Sequence, residues 1–284
     1  MKNKKGNVLR VKVGNKRVEI RGSAEFIAQE REAFYEYAGN ECKGNGFLAI
    51  ANLTPAPASR KKEPYSKSKE SGELTVVTKV KTSGSWKGIA DKIKNNCNDL
   101  QVGDTVMDQF KDGTVIEWIV TDATEEYVRF ESRDCIDSHR INDTHTNKGG
   151  IAASEMHKYL NEDVFKNLSD ELQGVISEIS RKYCDGAEVK EFVTKLFLPS
   201  ASEVFDKDDC YGEEDLYKQL EFYKNRRNRV RDYRNGGGSA YWWLSSPYAG
   251  NATHFCIVTS TGGANIYYAF TAYGLTPCFI IKKS

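Results

Sequence analysis

Several groups of side chains in this sequence are of types that do chemistry, and their spacing tests each in turn. Asp206-Lys207-Asp208-Asp209-Cys210-Tyr211-Gly212, with Glu213 and Glu214, has the carboxylate density that calcium needs. The EF-hand spacing fails, because Cys210 holds the fifth ligand position and Gly212 comes one residue late, so the run reads as a solvated acidic loop. Cys135, His139, His145 and His157 are zinc-ligand types, yet no pair has finger or HExxH spacing, and they read as a packed Cys and surface His. Arg226, Arg227, Arg229, Arg231 and Arg234, interleaved with Tyr223 and Tyr233, are of the type that contacts phosphate or RNA. The acidic run just before them supplies in-chain partners, so no nucleic-acid partner is expected. Ser, His and Asp occur without a GxSxG elbow. Seven cysteines, an odd number without a CxxC, predict synthesis in a reducing, cytosolic compartment. Cys256 and Cys278 can pair only if their strands are neighbours, which geometry decides.

The chemistry that remains is binding, and it lies in the last forty-odd residues. From Ser245 to Ile281 there is no Asp, Glu, Lys or Arg in a chain that is 29% charged overall. Gly, Ala, Ser, Thr and Asn there surround Tyr248, Tyr267, Tyr268, Tyr273, Phe255 and Phe270. Tyr brings contact area with little rotamer entropy to lose, and Ser, Gly and Asn bring adaptable hydrogen bonds, a combination that binds without catalysing. A buried C-terminal hairpin of any β-containing domain has the same composition, so composition alone leaves both readings open. In Phe255 to Gly262, Cys256, Val258 and Ser260 share one parity and Ile257, Thr259 and Thr261 the other, as a strand with two faces requires. From Gly262 to Tyr273 neither period is present, and the stretch reads as a long ordered loop carrying exposed aromatics.

Trp242-Trp243-Leu244-Ser245-Ser246-Pro247, then Phe255-Cys256-x-Val258-x-Ser260-x-Gly262-x-Ala264, then Gly274-x-x-Pro277-x-Phe279-x-Ile281, resembles a family of gut-bacterial and phage proteins in which a WWLRSP motif precedes a C-type-lectin-type fold. Many of its members are similar to the variable proteins of diversity-generating retroelements, whose template Asn codons are randomised at their adenines. Such randomisation never yields Lys, Glu, Gln, Met or Trp, and all five are missing from Thr253 to Cys278. Upstream, Asn147-Lys148-Gly149-Gly150, Ser154 to Asn161, Leu168 to Gln173, Lys195 to Ser200 and Glu221 to Val230 resemble the same family, over about residues 98 to 284. Ser245 stands where the family usually has Arg.

The resemblance implies a C-type-lectin-like (formylglycine-generating-enzyme-like) domain with a variable ligand-binding segment at about 253–278. Trp242, Trp243, Pro247, Phe255, Val258, Gly262, Gly274 and Phe279 are its expected invariant frame. Ile257, Thr259, Thr261, Asn265, Ile266, Tyr267, Tyr268, Phe270 and Tyr273 are the expected contacts to a protein or glycan ligand, with no cofactor and no metal. Two alternatives stay open: a non-diversified structural or tail-associated binder of the same fold, and a formylglycine-generating-type oxidase built on Cys256 and Cys278. The oxidase is disfavoured because those cysteines lie at or beside variable-looking positions, and a randomised position cannot hold an obligatory catalyst.

The elements that must position this segment come earlier. Val8 to Val13 and Arg17 to Ile20, around Gly14-Asn15, predict a hairpin, and Ser23 caps a helix running to about Tyr37. That unit spans 1–53. Residues 54–73, with half of the chain's six prolines and many charges, read as a linker. The domain of 74–284 opens with a strand at Leu74 to Val80 and a short helix with Trp86, Ile89, Ala90 and Ile93 on one face. A meander of Thr105 to Met107, Thr114 to Val120 and Tyr127 to Glu131 follows, then helix from 153 to 182 with Asn161 or Ser169 as internal caps. Strands, then helices, then strands give an α+β fold. With 41 basic and 40 acidic residues the net charge is +1, so no global field draws nucleic acid or an anionic membrane. No apolar h-region follows Met1-Lys2-Asn3-Lys4-Lys5 and no stretch nears a membrane span. The expectation is a chain cytoplasmic as synthesised, with a virion or cell-surface destination and the oligomeric state left open.

Overall fold

The computed structural model describes residues 7–13, 16–22, 85–97, 99–185, 188–206, 216–234 and 236–283. The expected helix after Ser23, the linker, the strand at Leu74 to Val80 and most of the acidic loop after Asp206 lie outside these residues. The chain divides into two compact units, Met1–Glu73 and Leu74–Ser284. In the first, β1 (Asn7–Val13) and β2 (Lys16–Gly22) pair antiparallel from Asn7↔Gly22 to Val13↔Lys16. In the second, the fold is mixed α+β, mostly sheet, with one sheet curled into a half-barrel.

Ser85 caps α1 (Trp86–Lys94) by accepting from Gly88 N, and the helix buries Trp86, Ala90 and Ile93. The meander forms as β3 (Thr105–Gln109), β4 (Val115–Ala123) and β5 (Tyr127–Ser132). The last strand, β13 (Cys278–Lys282), pairs with β5, giving a four-stranded antiparallel sheet in the order β13-β5-β4-β3. A second sheet has the order β11-β10-β9-β12-β6, built from β6 (Asp137–His139), β9 (Trp242–Pro247), β10 (His254–Val258), β11 (Ala264–Tyr268) and β12 (Tyr273–Leu275).

The expected helix of 153–182 is shorter and broken. Ser154 caps α2 (Glu155–Tyr159), which continues through a π-helical turn (Leu160–Val164) into α3 (Phe165–Asn167). Ser169 caps α4 (Asp170–Gln173) by accepting from Leu172 N, as its type requires. Asn161 is not a cap: within the π turn its Oδ1 accepts from Lys195 N and Leu196 N, and its Nδ2 donates to His157 O and Leu196 O. After Gly174 the chain leaves the helix, and Ile179–Asp185 is a strand, β7, paired with β8 (Glu188–Thr194). Ile176 and Ile179 have helical spacing in sequence, but Ser177 N donates to Ile280 O and starts the extended path.

The main core lies between the sheets, with Phe279 at its centre, stacked on Phe130 at 5.2 Å and edge-on to Trp118 at 4.9 Å. Alternation along a strand sends neighbours to opposite faces. Trp243, Phe255 and Ile257 therefore enter this core, while Trp242, Cys256 and Val258 enter a second one. That second core is closed by α5 (Ala201–Val204) and α6 (Glu221–Lys224) through Val204, Phe222 and Tyr223.

Behind the four-stranded sheet, Arg231, Glu131, Arg129, Glu203 and Arg181 form a buried chain of alternating charge. Arg231 donates to Glu131 at 2.8 Å, and Tyr223 OH donates to the same carboxylate. Arg129 donates to Glu203 at 2.7 Å, and Arg181 binds Glu203 through both of its terminal nitrogens. Burial alone would raise the Glu203 carboxyl, but Arg129 and Arg181 outweigh it and hold it at about 2. Glu203 also completes a capping box with Ser200.

Removing one partner of such a pair leaves a buried uncompensated charge, so Glu203→Gln is expected to destabilise by ~3–5 kcal/mol in urea titrations. A carboxyl depressed on folding contributes stability above its unfolded value near 4.5 and loses it as pH falls toward 2. The wild type should therefore lose stability through that window, and Glu203→Gln should lose less.

Candidate functional site

The expected loop after Gly262 is only partly a loop. Ala264–Tyr268 is β11, an edge strand paired with β10 from Val258↔Ala264 to His254↔Tyr268. No polarity alternates along it, since Asn265 is exposed and Ile266, Tyr267 and Tyr268 are each half-buried. Thr259 to Gly263 form the tight connection: Thr259 N donates to Gly263 O, Gly262 N to Thr259 O, and Gly262 takes φ +76°. A side chain there would press on Arg226 O at 2.8 Å. All eight expected frame residues are buried. Gly274 shows one reason, because a Cβ there would collide with Cys135 Sγ.

The structure separates the expected contact residues. Ile257 is fully buried in the main core, which corrects its assignment to a ligand face. β10 runs between β9 and β11 with a core on either side, and such a strand is apolar throughout, as Phe255-Cys256-Ile257-Val258 is. Ile266, opposite Cys256, packs against the second core. Thr259 and Thr261 lie at the end of the strand pair away from Tyr268, roughly 13 Å along it at 3.3 Å per residue. There Arg226 Nε donates to Thr261 O at 3.0 Å.

Tyr267, Tyr268, Phe270 and Tyr273 do come together, and other rings join them. Tyr273 lies 5.0 Å from Tyr267 and 5.6 Å from Tyr241, nearly parallel to the latter. Tyr268 lies 4.2 Å from His254 and 5.6 Å from Phe270, and His145 sits 3.8 Å from Phe270. Tyr273 stands opposite His139 in the β12–β6 pair, so their side chains share a face. His139 in turn stacks on Tyr159 at 4.1 Å. The result is a band of aromatic rings that are half-buried or, at His145, exposed.

The segment 139–147 fixes this band from the side. Ile141 N and Asn142 N both donate to Ala269 O, and Asn147 N donates to Ala252 O. The Asn147 amide meets Tyr248 O, Asn251 O and His254 O at 2.8–3.3 Å, tying down the β9–β10 connection. The sequence does not mark Tyr241, His139, His145, His254 and Tyr159 as ring partners, and His139, His145 and Tyr159 stand about a hundred residues before the C-terminal segment. One local cue is present, His254 immediately before Phe255 at the start of the aromatic segment.

The rejected constellations find structural roles. Arg231 serves Glu131, and Arg229 donates to Tyr223 O with its guanidinium 4.8 Å from the Phe205 ring. No group of three or more His, Cys, Asp or Glu placed to hold a metal occurs among the described residues. Cys256 and Cys278 are buried and form no disulfide. Burial and Glu131 push the Cys278 thiol well above its ordinary range, although Arg129 opposes them.

Residues 121–283 match the model of a family described as a domain of unknown function (DUF6273). The chain belongs to the DUF6273 family. Comparison with curated proteins and with solved structures finds no match. The DUF6273 stretch begins inside β4 and contains every ring of the band, as well as the buried charge chain. Among the described residues no helix is long and apolar enough to cross a membrane.

Burial lowers the pKa of His254, with help from His145, and burial lowers that of His157. A histidine depressed on folding is protonated more readily in the unfolded chain, so stability is full above about pH 6.5 and declines below it. Thermal melts should show that decline, and His254→Gln with His157→Gln should flatten it. In native protein a maleimide should label exposed Cys97 within minutes, whereas Cys135, Cys256 and Cys278 should require denaturant.

Proposed function

We propose that this chain is a ligand-binding protein of the receptor or adhesion type, with a C-type-lectin-like domain whose C-terminal face is diversified by a retroelement. The observation that carries the reading is the aromatic band within a charge-free segment. Tyr267, Tyr268, Phe270 and Tyr273 are partly exposed, and beneath them lie buried residues of the expected frame. Rings held by packing lose little entropy when a partner docks on them, and Tyr supplies both apolar area and a hydroxyl. Tyr241 and His254 join them as contacts, and Asn265, Thr259 and Thr261 give a more polar flank. Binding on an uncharged face should change little between low and high salt.

The burial of Ile257 favours a second reading, a fixed binder of the same fold. A randomised codon at a fully buried site between β9 and β11 would place polar or oversized residues in the main core. The oxidase reading needs reactive thiols, and the burial of Cys256 and Cys278 weighs against it.

Deep sequencing of this locus across a host population distinguishes the two binders. Active diversification predicts codon variation concentrated at Thr259, Thr261, Asn265 and Tyr267 to Tyr273, with Ile257 restricted to apolar residues and the frame constant. Uniform codons from 253 to 278 would leave the fixed binder.

A further inference from the structure

We propose that the aromatic band binds a neutral oligosaccharide, with sugar rings lying on Tyr241, Tyr273 and Tyr267 and their hydroxyls held at the Asp137–His139 end. The proposal rests on the reading of this band as a ligand-binding face and names its ligand class.

The two ends of the band differ in chemistry. At one end are carbon-rich ring surfaces. Tyr241 and Tyr273 are inclined by 26°, with Tyr267 edge-on to Tyr273 at 74°. The negative face of an aromatic ring attracts the weakly positive C–H groups on the apolar side of a pyranose, by the electrostatics that bring ring edges to ring faces. At the other end is a cluster that matches sugar hydroxyls. The exposed Asp137 carboxylate accepts from Tyr159 OH at 2.8 Å and from Ser138 N at 2.7 Å, and two carboxylate oxygens have acceptor capacity beyond these two bonds. His139 Nδ1 lies 2.7 Å from Arg140 O. A carbonyl can only accept, so Nδ1 is the donor there, and Nε2 is the ring nitrogen left to meet a sugar hydroxyl, which can both donate and accept. Tyr273, directly opposite His139 in register, joins the two ends.

What the band does not offer selects against other ligands. The exposed large aliphatic side chains, Val102, Met107, Val115, Val189 and Val193, lie on or beside β3, β4 and β8. None is part of the band, so what it presents to a ligand is ring faces beside hydroxyl and carboxylate groups, the two chemistries that a pyranose matches. An acidic sugar would face Asp137, and the neighbouring Arg140 is engaged by Asp143 at 2.9 Å.

The test is an array of neutral, sialylated and sulfated oligosaccharides probed with the full chain, followed by calorimetry on the best neutral compound. Binding of neutral members is expected, weakened about tenfold by Tyr273→Ala or Tyr241→Ala, each of which removes one ring contact. Asp137→Asn, a substitution on an exposed side chain, should weaken binding while leaving the melting temperature unchanged, and Tyr273→Phe should retain most of the affinity. Saccharide binding that none of these variants alters would overturn the proposal. If no saccharide binds but a protein partner does, and Tyr268→Ala or Tyr273→Ala abolishes that contact, the ligand class falls and the binding face stands. If neither class binds in a way these variants change, both readings fall.

Discussion

The buried chain of charge from Arg231 through Glu131, Arg129 and Glu203 to Arg181 constrains everything else in the C-terminal unit. Two carboxylates cannot be withdrawn from water without cations close by, and the cations come from distant parts of the sequence. Arg129 and Glu131 sit on β5, Glu203 ends a capping box on α5, Arg181 belongs to β7 and Arg231 precedes β9. Meeting the charges therefore fixes the positions of four segments at once. Packing reinforces it, because the Arg181 guanidinium lies 4.4 Å from the Phe197 ring and 4.2 Å from that of Tyr217. A burial-only core of the same volume could be as stable, but it would not specify so sharply which strand lies over which helix.

With α5 and α6 held in place, both faces of the five-stranded sheet are covered along β9 and β10. This is why Trp242 and Trp243 can be adjacent and both fully buried. Their indole N–H groups are satisfied by Arg229 O and His139 O, so neither ring burial leaves a polar atom unpaired. The second of these bonds anchors β6 beside the aromatic band, linking the interior to that band. Loss of either Trp ring would remove contacts worth about 3–5 kcal/mol in a core of this kind, and Trp243 would take the position of His139 with it.

The elements that were legible in the sequence are those with one clear period. The meander of β3 to β5, the apolar stripe of α1 and the Ser169 cap follow local rules that tertiary context did not override. Legibility failed where burial is two-sided or where the partner is remote. Ile257 looked like one face of an amphipathic strand, but a second core removes the distinction between faces. β11 showed no alternation because it packs partly on both sides, Ile266 against the second core and Tyr267 against the main one, with neither face fully buried. Ile176 and Ile179 fit helical spacing until β8 and Ile280 O claimed the backbone. The band itself was half legible: the C-terminal tyrosines announced themselves by composition, whereas Tyr241 and the histidines become neighbours only after the 139–147 segment has folded back.

The arrangement bears on where variation can be tolerated. β10 contributes four consecutive buried residues that alternate between the two cores, so substitutions there act on stability first. β11 and the 269–273 connection lie at the sheet's rim, where Tyr267, Tyr268 and Phe270 lean on one another and on His254, with few aliphatic neighbours to displace. Backbone atoms rather than these side chains hold the rim in place, through Ala269 N to Thr253 O and through Ala269 O to Ile141 N and Asn142 N. Side chains there can change while the scaffold under them does not, because the hydrogen bonds that fix the connection do not depend on side-chain identity. The boundary between side chains that the cores hold and side chains carried by the backbone network alone falls between β10 and β11.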